Sequence, residues 1–186
     1  MSRAATKLTY EDYLGFPEDG LRHEIIDGEH YVNPAPNLRH QRISGKVFGF
    51  LWVFLRSRPI GEVFSAPFDV VLSGQDVVQP DLLYVSKERT EIFTEKNVQG
   101  APDLVVEILS QSTRREDEKI KLRRYELFGV REYWIVDPEL ELIKVYRPGD
   151  DRRYVRVAEL SNDAGDALTT PLLPGFNVAL AEIFAE

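Results

Sequence analysis

Glu107 stands inside Leu104-Val105-Val106-Glu107-Ile108-Leu109, a nearly continuous apolar run of the kind that forms a central strand covered on both faces. A carboxylate buried there without a partner costs several kcal/mol or takes up a proton, so its position asks for a metal ion or a fixed cation. A structural ion pair is the plainer alternative. Asp81 follows Pro80, which has no N–H to give a ladder, so Gln79-Pro80 marks a strand beginning or a bulged edge. Alternation puts Asp81, Leu83 and Val85 on one face, and Asp103, Val105, Glu107 and Leu109 on one face of the later strand. If the strands are neighbours and those faces coincide, Asp81 and Glu107 converge on one cation.

Lys121 lies in a charged helical segment, where a lysine is ordinarily a solvated surface residue. At about 100° per residue it falls within about 20° of Phe128, whereas Lys119 points the opposite way, so Lys121 is the lysine that faces inward. Asp117 lies one turn before it and is an ordinary ion-pair partner. His40 projects from the same side of its helix as Val47 and Leu51 and is placed to enter a cleft, although a hydrogen-bonded core histidine is the commoner case. Glu24 and Glu29 flank a hairpin turn and offer further carboxylates, with solvated hairpin residues the preferred reading. Ser110, Ser112 and Thr113 read as caps for the helix starting near Arg114. No serine nucleophile is supported, since no strand-turn-helix Gly-x-Ser-x-Gly exists.

The elements that must position these groups follow from periodicity. A short helix over 8–14 is capped by Thr9 and is expected to pack as a lid, and Asp27-Gly28 turns a hairpin between two short strands. Residues 38–56 form a long helix that is apolar on more than one face, which implies cover by another element or by a second subunit. Strands are predicted over 62–72, 77–85 and 103–109, with a short helix or loop over 88–97. A second helix spans 114–128 and stops at Gly129; a strand over 132–136 and a later hairpin of 143–146 with 154–157 complete the set. That order predicts an α/β chain (α+β, mixed sheet) with helices flanking a central mixed sheet.

Length and a 43% hydrophobic content fit one domain over 1–186 with a real core. Without cysteine, any metal must take oxygen or imidazole ligands, which favours a hard cation. A net charge of −8 argues against binding nucleic acid through a broad basic surface alone, but not against a site whose carboxylates await cations. No stretch is long and apolar enough to span a bilayer and none looks like a leader, so the expected location is the cytoplasm.

The blocks His23-Glu24-Ile25-Ile26-Asp27-Gly28-Glu29, Gln79-Pro80-Asp81-Leu82, 102–110, 129–138 and Leu173-Pro174-Gly175-Phe176, in this order, resemble the Uma-two family of restriction endonucleases. That family is a branch of the PD-(D/E)xK nuclease superfamily, and the likeness covers almost the whole chain. It implies a restriction-endonuclease-like core with Asp81 and Glu107 as metal ligands, Mg²⁺ as cofactor with Mn²⁺ as substitute, and nucleic acid, DNA above RNA, as substrate. The superfamily's lysine would stand two residues after Glu107, where this sequence has Leu109; Lys121 looks like a migrated replacement. By the same resemblance Lys121 positions the attacking water or stabilises charge on the phosphate, and His40 is a fourth member contacting the phosphate or a ligand-bearing side chain. The alternative is a catalytically inactive nuclease-fold protein that binds nucleic acid or another partner. The helix that is apolar all round adds the expectation of a homo-oligomer, most simply a two-fold dimer.

Overall fold

The computed structural model describes residues 6–110 and 114–185. Its elements are α1 (Tyr10–Tyr13), β1 (Arg22–Ile26), β2 (Glu29–Asn33), α2 (Leu38–Ser57), β3 (Gly61–Ser65), β4 (Val70–Ser73), β5 (Asp76–Val78) and β6 (Leu82–Ser86). After a 3₁₀ turn at Lys87–Ile92 come β7 (Val98–Gln99), β8 (Leu104–Ile108), a π-helical turn at Glu116–Lys121, α3 (Leu122–Phe128), β9 (Glu132–Asp137) and β10 (Leu142–Pro148). β11 (Tyr154–Ser161), β12 (Ala167–Thr169), β13 (Asn177–Ala179) and α4 (Leu180–Phe184) follow.

Two mixed sheets dominate, one in the order β2-β1-β5-β4-β7 and one in the order β11-β10-β9-β8-β6-β3, with β12-β13 as a small hairpin. The expected strands over 62–72 and 77–85 are each two strands, one in either sheet. Proline explains both breaks. Pro67 and Pro80 have no N–H to give a ladder, and the chain passes from one sheet to the other beside each of them. At that crossing the Ala66 amide donates to the Asp81 carbonyl, 2.9–3.0 Å being the ordinary range of such a bond.

The central strands of the six-stranded sheet, β6, β8 and β9, are buried on both faces, and strand alternation sorts their residues between two cores. Leu82, Tyr84, Leu104, Val106 and Ile108 pack with Ile43, Val47 and Leu51 of α2. Leu83, Val85, Val105 and Leu109 pack on the other side with Tyr125 of α3. Each large side chain buried in this way contributes about 1.5–3 kcal/mol. Part of the outer face of α2 is covered by the chain's own C-terminal segment, where Phe54 meets the edge of Phe176 at 5.6 Å between ring centres, while Trp52 and Val53 remain exposed.

Asp27-Gly28 makes the hairpin turn as expected, with φ of 52° and 75°. Thr9 caps α1 through a reciprocal bond pair with Asp12. The helix does not act as a lid: it lies against β1 and β5, and none of its residues lines the cavities described below. Gly129, at φ 79°, ends α3 in the left-handed conformation that glycine tolerates best. The expected caps Ser112 and Thr113 lie outside the described residues.

Candidate active site

β6 and β8 pair antiparallel, with Leu82 opposite Val106 and Leu83 opposite Val105. Carrying that register one residue further sets Asp81 opposite Glu107, just beyond the end of the ladder. Pro80 has ended the ladder here, and the Asp81 side chain takes over as acceptor: Oδ2 receives the Ile108 amide at 2.8 Å. Oδ1 receives Arg22 Nη1 from β1 at 2.8 Å, and His40 Nε2 lies 3.0 Å from Oδ2. His40 reaches this point from the first turn of α2, which Asn37 caps by accepting the His40 amide at 2.9 Å.

Glu107 is only 3% exposed and accepts from Lys121 Nζ at 3.0 Å and from the Tyr125 hydroxyl at 2.8 Å, both at Oε1. Lys121, equally buried, closes the π-helical turn. Such wide turns re-aim side chains and recur at functional sites. Its ammonium also lies 3.0 Å from Glu24 Oε1 and 3.5 Å from Asp117 Oδ1. Glu24 is held in turn by Asn33 Nδ2 and the Gln79 amide, each at 2.7 Å.

Four buried carboxylates, Glu24, Asp81, Glu107 and Asp117, thus meet two full cations, Arg22 and Lys121, leaving two negative formal charges in excess. Burial works against the Asp81 anion, yet the hydrogen bond and charge of His40, the Arg22 guanidinium and the Ile108 amide outweigh it and hold its carboxyl below the usual range. Glu107 goes the other way: burial pushes it up to about 8, Lys121 opposes, and Asp117, Asp81 and Glu24 add to the rise. For Lys121, burial favours loss of the proton, but the carboxylates of Glu107, Glu24 and Asp117 hold its pKa well above the ordinary value. Asp81, Glu107, Lys121, Asp117, Arg22 and His40 line a cavity of about 540 Å³.

All four residues singled out from the sequence, Asp81, Glu107, Lys121 and His40, therefore meet in one place. Lys119 is exposed, as its helical position required. The expectation for Glu24 is corrected: it is 0% exposed and pairs with Lys121, whereas Glu29 is exposed as expected. Its signal was Glu24 preceding Ile25 and Ile26 in a strand that lies buried inside the five-stranded sheet between β2 and β5, a fact no local pattern carries. Arg22 was missed for the same reason. Asp117, read as a partner for Lys121, is one of three.

Among the described residues no group of three or more His, Asp or Glu side chains is set to hold a metal ion; Asp81 and Glu107 line one cavity as two carboxylates. Mg²⁺ fits such a pair, because it keeps several waters and takes one or two carboxylates plus substrate phosphate. The excess of formal negative charge suits a divalent ion as well.

No curated protein matches the chain. Among solved structures it matches "a putative nuclease belonging to DUF820" from Anabaena variabilis ATCC 29413, with a TM-score of 0.80 at 18% identity over 96% of this chain and 98% of that one. The fold is that of the nuclease, a restriction-endonuclease-like mixed sheet with flanking helices. The sequence model of the Uma2 family, described as "Putative restriction endonuclease", matches residues 10–181, and with a match of that extent the chain belongs to the family.

Proposed function

We propose that the chain is a Mg²⁺-dependent endonuclease that hydrolyses phosphodiester bonds of DNA, with Mn²⁺ as a substitute ion. The observation that carries this reading is the meeting of Asp81 and Glu107 across neighbouring strands, with the Lys121 ammonium 3.0 Å from Glu107, in the wall of one cavity. When bound, the ion would polarise a phosphodiester oxygen and lower the pKa of a water molecule toward neutrality. Asp81 and Glu107 would supply the protein oxygens that hold it. Arg22 and His40 fix the Asp81 carboxylate from two directions. Lys121 stays protonated and so is no general base; its fixed charge holds the attacking water or stabilises charge that develops on the phosphate.

The test is cleavage of labelled DNA by purified protein with Mg²⁺ or Mn²⁺, beside an Asp81→Ala protein purified identically. Equal activity of the two would assign the cleavage to a contaminant. A second reading, an inactive nuclease fold that binds nucleic acid or another partner, is favoured by one observation: the superfamily's lysine position holds Leu109, which is buried in the α3-side core. Calorimetric titration with Mn²⁺ separates the two, because an inactive site lacking its ion takes up none specifically.

A further inference from the structure

A second cavity, of about 460 Å³, adjoins the first and shares Arg22, His40 and Asp81 with it. Its volume falls in the usual range for small-molecule sites, about 300–1,000 Å³. Its walls include Phe48 and Gly45 of α2, Pro36 and Pro67, while Ser44 and Gln79 bring polar groups. Arg22, His40 and Gln79 are among its lining residues and bring a guanidinium, an imidazole and an amide, groups that together suit a ligand with both donor and acceptor edges.

Resting on the nuclease reading above, we propose that this cavity receives the base of an unpaired nucleotide next to the scissile phosphate, so that the preferred substrate is single-stranded or locally unpaired DNA. A phosphodiester seated at Asp81 and Glu107 has a flanking nucleotide at the boundary that Arg22 and His40 form between the cavities. A base within an intact duplex cannot enter a side cavity, because its pairing edge and both faces are occupied; it must leave the stack, which costs least where it is already unpaired. Phe48 offers the apolar ring on which such a base packs, and the polar side chains of Gln79 and Ser44 line the same cavity, where its edge would lie.

Gly45 supplies the test. A Cβ built there meets nothing within 4 Å, and glycine inside a helix is unfavourable, so Gly45→Phe fills the cavity mouth without straining the fold. Gly49, one turn further along α2, is equally open but lines a different region, so Gly49→Phe is the control. Binding and Mn²⁺-dependent cleavage are measured for one DNA sequence as a single strand, a perfect duplex, and a duplex with one unpaired nucleotide. Wild type and Gly49→Phe should favour both unpaired forms by about ten-fold or more, the scale of one base–aromatic stack, with cuts beside the unpaired nucleotide. Gly45→Phe should lose that preference while its melting temperature and Mn²⁺ titration stay as in wild type. Equal handling of all three DNAs by wild type, or an unchanged preference in Gly45→Phe, overturns the proposal. Failure of the nuclease reading looks different: no cleavage dependent on Asp81, with the binding preference and its loss in Gly45→Phe still present.

Discussion

At the scale of single residues, Lys121 and Glu107 carry the sharpest expectations. Lys121→Ala should lower metal-dependent DNA cleavage by about 10² or more, as for other lost charge contacts, whereas Lys119→Ala, which removes an exposed charge, should be nearly neutral. Because Lys121 is buried among Glu107, Glu24 and Asp117, its loss should also destabilise the fold by about 3–5 kcal/mol. Saturating Mn²⁺ should recover the melting temperature of that variant but not its rate; recovery of both would return Lys121 to a structural role. A pH expectation comes from Glu107, whose carboxyl is raised from 4.5 to about 8 in the folded state. The folded chain then holds a proton that the unfolded chain has lost, so this contribution is fully present below pH 4.5 and disappears as pH rises to 8. Thermal melts of metal-free protein should therefore decline across that window, and Glu107→Gln should flatten the decline; identical slopes would remove the assignment.

At the scale of elements, the site depends on how the π-helical turn and α3 are fastened to the five-stranded sheet. Arg124 of α3 donates from Nε and Nη2 to the two oxygens of Asp76, each at 2.7 Å, and also approaches Asp27 at the hairpin tip. Asp76 is 1% exposed and keeps two other donors, the Asp27 amide and the Ser73 hydroxyl. Arg124→Ala should consequently cost about 2–3 kcal/mol in urea unfolding, toward the lower end for a broken buried pair. Since α3 follows directly on Lys121, cleavage should fall as well, and a variant with full stability would show that the fastening lies elsewhere. Much of this level was legible locally. Asp27-Gly28, the capped α1, the apolar stripe of α2 and Gly129 each announce an element through short-range chemistry. The strands over 62–72 and 77–85 were legible as extended segments but not as four strands in two sheets, because a proline signals a break without saying where the chain goes next.

At the scale of the whole molecule, the two sheets meet at the crossings beside Pro67 and Pro80, and the site sits where they meet. We take residues 1–186 as one domain on that ground; urea unfolding followed by far-ultraviolet circular dichroism and by tryptophan fluorescence should give one coincident transition, and two separated transitions would divide it. The exposed Trp52 and Val53 on α2 keep the expectation of a homodimer in place, although Phe176 and α4 already cover part of that helix. Light scattering at micromolar concentration should report about twice the 21.3 kDa chain mass, with Trp52→Glu reducing it to one. A monomer mass for the native chain removes this expectation. No helix among the described residues is long and apolar enough to cross a membrane. The sequence by itself determined the carboxylate inside an apolar strand and the inward lysine, because strand and helix periodicities act over a few residues and are read directly. Only the tertiary structure decided that Glu24 and Arg22 join them and that a second cavity adjoins the carboxylates. Those facts depend on β1 pairing with β5 and on α2 bringing His40 to Asp81, contacts between segments far apart in the chain that no local pattern encodes.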